Sequence, residues 1–108
     1  MTFKVGYEYK LELKMKIGII PFKININMVP DTETTWHGNG STIGYKASAE
    51  NGTIDGNKLK FNFELAKLNA YITAELVADN SGNLTGTGIC EGYDPFSATG
   101  KIVKEVKL

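Results

Sequence analysis

The chain has 108 residues, with 12 lysines and no arginine set against 12 acids, so its formal net charge is zero. That length predicts one domain over 1–108, with enough chain to build a core without staples. A neutral chain without arginine lacks the basic patch and forked donors that nucleic acid calls for, so nucleic acid is set aside as a partner. Cys90 is the sole cysteine and can form no internal disulfide, which fits a reducing, cytoplasmic setting. The apolar runs are only a few residues long, so no segment is expected to span a membrane, and a membrane is set aside too.

The chain opens on strict alternation. Phe3, Val5, Tyr7, Tyr9, Leu11, Leu13, Met15 and Ile17 interleave with Lys4, Gly6, Glu8, Lys10, Glu12, Lys14 and Lys16. A period of two marks a strand with one buried and one wet face. A strand over all of 3–17 is roughly twice the usual length and must bend. Gly18 and Pro21 bracket a reversal, and alternation resumes over 22–29, making residues 1–29 a long hairpin. If its first strand outreaches its neighbours, it leaves an edge through which a second copy can pair.

A short third strand is predicted over 32–37, broken by Gly38-Asn39-Gly40-Ser41. Ile43, Tyr45, Ala47 and Ala49 then alternate, and Asn51-Gly52 reads as a second turn, because both residues accept positive φ. A strand over 58–65 places Leu59, Phe61, Phe63 and Leu65 inward. Residues 66–78 carry some helix formers, but Tyr71, Ile72 and Thr73 favour a strand. A turn at 79–83, a Gly-rich strand over 84–90, a turn at 91–95 and a last strand from 96 to about 106 complete the chain.

The expected fold is all-β: an antiparallel up-and-down meander of about eight or nine strands closing into a small barrel. A two-sheet sandwich is the alternative. The bulky inward residues of the first half and the small ones of the second leave one question open. Interdigitated, they fill the interior; clustered, the small ones leave a cavity.

The order hairpin, Thr34-Thr35-Trp36-His37-Gly38-Asn39-Gly40, Gly52-Thr53-Ile54-Asp55-Gly56-Asn57, then Asp79-Asn80-Ser81-Gly82-Asn83 through Gly88 resembles small bacterial calycin-like barrels, the group that holds lipocalins and fatty-acid-binding proteins. That resemblance implies an eight-stranded barrel and a small, mostly apolar ligand held inside it or at its mouth.

The aromatic and polar-tipped residues Tyr7, Trp36, His37, Tyr45, Phe61 and Tyr93 are the candidate ligand-binding set, since such side chains join an apolar body to a polar handle. No catalytic or metal-binding residue is assigned and no cofactor is expected. His37 is the sole histidine, and one histidine with one distant cysteine makes no metal site. Cys90 reads as a small core residue rather than a nucleophile. Two other readings stand beside ligand binding. One is a filled structural domain that self-associates. The other is a small lyase or isomerase using His37 with Asp94 or Tyr93.

Overall fold

The computed structural model describes residues 2–42, 45–65 and 70–108, the side chain of Tyr45 excepted. Eight strands follow one another: β1 (Tyr7–Ile17), β2 (Ile20–Pro30), β3 (Thr35–Thr42), β4 (Tyr45–Asp55), β5 (Lys58–Leu65), β6 (Ala70–Ala78), β7 (Asn83–Cys90) and β8 (Phe96–Lys107). Each pairs antiparallel with the next, and β8 returns to β1, so the sheet closes on itself as the meander predicts. The sandwich alternative does not form.

Three local expectations change. First, β1 begins at Tyr7, because residues 5–6 turn and Gly6 takes φ 92°. Phe3 is nonetheless buried, while Val5 is exposed. Second, 38–41 is strand, not a break: Asn27 pairs with Asn39 and Gly40 with Ala47, and β3 continues to Thr42, which pairs with Tyr45. The strand call at Ile43 and Gly44 lies outside the described residues, as does the connection at 66–69. Third, Asn51-Gly52 is a bulge inside β4 rather than a hairpin turn. The register slips between Glu50 and Thr53, and Asn51 alone among the described non-glycine residues has positive φ, at 54°. The Asn-Gly signal reports tolerance of positive φ, which a bulge uses as readily as a turn.

Closure also removes the expected edge. β1 pairs with β2 over Tyr9–Ile17 and with β8 over Tyr7–Met15, so both its flanks are occupied.

Register answers the question of filling. Bulky residues on β1 and β5 stand beside small ones on β8 and β6: Leu13 beside Gly100, Met15 beside Ala98, Phe61 beside Ala74, Leu65 beside Ala70. Tyr9, Met28, Leu59, Phe61, Ile72, Ala74, Leu76 and Ala78 have no exposed surface at all. A side chain facing a void large enough for water would expose surface to that void. The interior around these residues is therefore solid. The outward positions carry mostly Lys, Glu, Asn and Thr, with Tyr71, Val77, Ile89 and Val103 exposed among them.

The two ends of the barrel differ. The turns at 31–34, 56–57 and 79–82 share one end with residues 2–6, and Phe3 plugs it. The Phe3 ring meets Tyr9 edge-on at 5.1 Å, and the Lys4 N–H donates to the Tyr9 hydroxyl at 2.9 Å. The turn at 18–19 and the loop at 91–95 lie at the other end, where β3 meets β4 and β5 meets β6. Among the described residues no helix is long and apolar enough to cross a membrane.

Burial of Tyr9 sets a pH dependence. Desolvation, helped by the nearby Glu105 carboxylate, raises its phenol above the ordinary value of 10.0, against the opposing Lys4 N–H. The fold thus favours the neutral phenol. Its contribution is complete below about pH 10 and disappears as pH climbs through the raised folded value. Urea midpoints should stay level to about pH 9 and then fall, and Tyr9→Phe should flatten that alkaline decline. An identical decline in the variant would remove Tyr9 as its source.

Candidate functional site

Strand parity sorts the sequence-derived set. Trp36 and Phe61 are inward on β3 and β5 and belong to the filled core. Their rings meet edge-on at 5.2 Å, and Phe61 stacks on Phe63 at 5.8 Å. The Trp36 indole N–H donates to the Thr53 carbonyl at 3.1 Å, so its polar handle is already used. The β4 bulge makes room for it: a Cβ at Gly52 would come within 2.7 Å of the indole ring.

Tyr7 is half-buried near the plugged end, with the Lys4 ammonium 5.5 Å from its ring centre. His37 points outward from β3, and its Nδ1 lies 2.7 Å from the Asp31 carboxylate. Both partners are largely exposed, so the pair is weakened by water and salt. Asp94 and Tyr93 sit in the 91–95 loop at the opposite end, so the structure does not bring His37 to either of them. Tyr45 begins β4 beside Thr42, and its side chain lies outside the described residues. Tyr93 is exposed, with its ring 3.8 Å from where a side chain on Gly18 would start. The six residues therefore form no single site. Two lie at the end opposite Phe3, one in mid-core, and three toward the plugged end.

The end opposite the Phe3 plug has its own constellation. Inward, buried residues ring its lip, among them Ile17, Phe22, Thr42, Leu65, Ala70 and Cys90. Thr42 stands out. It is 8 % exposed, and its hydroxyl has no hydrogen-bond partner, alone among the buried side-chain polar atoms described. An unmade hydrogen bond at a buried hydroxyl costs about 1–3 kcal/mol, so such a group calls for an explanation. Across the barrel, β7 supplies the buried Cys90 thiol, whose nearest partner is the Glu91 carbonyl at 3.7 Å. Around the lip, Ile19, Ile20 and Tyr93 are exposed.

Sequence reasoning missed Thr42 because it placed a chain break four residues wide just before it. The signal was present: Trp36, Gly38, Gly40 and Thr42 share one parity, which extends β3 through the glycines. Among the described residues no group of three or more His, Cys, Asp or Glu side chains converges to hold a metal. Family models, curated proteins and solved structures were compared with this chain, and none matches.

Proposed function

We propose that the protein is a binding module that takes a small, mostly apolar ligand carrying one polar group, at the end of the barrel opposite Phe3 rather than in its middle. The carrying observation is the unpartnered hydroxyl of Thr42, buried at the lip. The hydroxyl is closed to solvent, so a ligand carbonyl or hydroxyl would complete its hydrogen bond once the side chains over the lip move aside. The ligand's apolar body would rest on the exposed ring of Tyr93. The solid middle of the barrel favours this end over a central cavity. The plug of Phe3 over Tyr9 disfavours the opposite end.

The lyase reading loses its constellation, since Asp31 rather than Asp94 is the acid at His37. No ligand is named beyond its class.

Thr42→Val separates the two roles of the hydroxyl. The change is isosteric and removes an unsatisfied group, so the free protein should gain about 1 kcal/mol, read as a higher urea midpoint at unchanged slope. The same variant should bind decanol, used as a probe, several-fold more weakly in calorimetry, as loss of one hydrogen bond of about 1 kcal/mol requires. Absence of saturable decanol binding by the wild type, with only bare chain in native mass spectra, would defeat the proposal.

A further inference from the structure

The β1–β2 hairpin ends in an unusual tip. Gly18 takes its first corner with φ 59°, and Ile19 follows with negative φ, the sign pattern of a type II′ turn. Corners of such turns are ordinarily polar. Here Ile19 is 88 % exposed and Ile20 43 % exposed. The ring of Tyr93 lies against Gly18 and extends the apolar surface sideways.

The flank of this hairpin is basic. Lys14 stands directly opposite Lys23, with Lys16 opposite Pro21. Like charges facing each other across a ladder are destabilising. Neither of the ion pairs among the described residues involves these three lysines. The acids nearest these lysines are Glu12, which lines a surface hollow with Lys14 on the hairpin itself, and Asp94 of the 91–95 loop, which shares a hollow with Lys16. Glu91 belongs to the same loop, and the three lysines outnumber the one acid beside them on the hairpin.

We infer that this tip docks on an anionic lipid surface. Ile19, Ile20 and Tyr93 seat at the boundary between headgroups and acyl chains, and Lys14, Lys16 and Lys23 face the headgroup phosphates and carboxylates. Aliphatic side chains with an amphipathic ring suit that boundary, and lysines just behind them meet its negative potential. The sequence reading set a membrane aside because nothing spans one. Resting on a surface needs only a few apolar side chains held together, which the turn supplies. This inference does not rest on the Thr42 site.

Co-sedimentation with sucrose-loaded vesicles tests it, using the full chain. Vesicles of phosphatidylcholine with about one-third phosphatidylserine should pellet the protein, with partitioning roughly tenfold above pure phosphatidylcholine and falling as salt is raised. The double variant Ile19→Asn, Ile20→Asn changes exposed residues only. It should lower partitioning about tenfold while leaving the urea midpoint unchanged. Lys14→Gln with Lys23→Gln should reduce the phosphatidylserine preference severalfold. No pelleting of the wild type, or equal pelleting of the Ile19→Asn, Ile20→Asn variant, overturns the inference. So does a concentration-dependent dimer in sedimentation velocity that the same variant abolishes, because a second copy would then be what covers the tip.

Discussion

Replacing Phe61 with alanine is expected to destabilise the protein by about 3–5 kcal/mol, the range for deleting a fully buried aromatic ring. Phe61 touches Trp36 edge-on and Phe63 face to face, and it stands beside Ala74, which is too small to fill the space left behind. β5 pairs with β6 throughout and with β4 on either side of the bulge, so the cavity has limited scope to collapse. Against a total stability of about 5–15 kcal/mol, the variant should sit near its unfolding threshold at room temperature. Urea titration checks this through a lower midpoint at unchanged slope. A loss below about 1 kcal/mol would contradict the solid interior described above.

Gly86→Ala is expected to cost about 3 kcal/mol, the upper part of the overpacking range, although it adds a single methyl group. A Cβ at Gly86 would collide with the Glu75 carbonyl and come within 2.9 Å of the Leu76 Cα. Both obstacles are backbone in the facing strand, where Gly86 pairs with Leu76, so neither can turn aside as a side chain would. Relief requires β6 and β7 to move apart, which strains the ladder between them. Thr87→Ser, one position on and outward-facing, should stay within about 0.5 kcal/mol and serves as the control. Equal midpoints for the two variants would show that β6 and β7 can part at little cost.

The barrel was legible because alternation is a local signal and the inward phase of most strands survives folding. Tyr9 through Ile17 and Leu59 through Leu65 are buried on the parity their sequence announces. Misreadings came where a local signal has two structural uses. Asn51-Gly52 and Gly38 through Ser41 carry turn chemistry, but here the glycines serve close approach of strands and of the Trp36 ring. Nothing in residues 38–41 alone says which partner lies across from them. Phe3 kept its predicted burial by another route, as a plug beyond a turn at Gly6 rather than as part of the strand.

The candidate site was less legible, for a physical reason. Whether an aromatic residue reaches the lip, the middle or the plugged end depends on which strand ends meet, and that is fixed only by closure. Trp36, His37 and Tyr93 look equivalent in sequence, yet one is core, one is outer wall and one is rim. Thr42 bears no chemical mark that separates it from the exposed Thr32, Thr34 and Thr35; only its burial without a partner does.

Pairing of β1 with β8 joins Tyr7 to Lys107, positions about a hundred residues apart. Contacts of that span dominate a ring of strands and slow its formation to milliseconds or seconds. During synthesis at about 5–20 residues per second, β1 waits several seconds for its second partner. Over that interval Leu11, Leu13 and Met15 have only β2 beside them. The lysines and glutamates between them then act as kinetic guards, keeping a half-paired hairpin soluble until the last strand arrives.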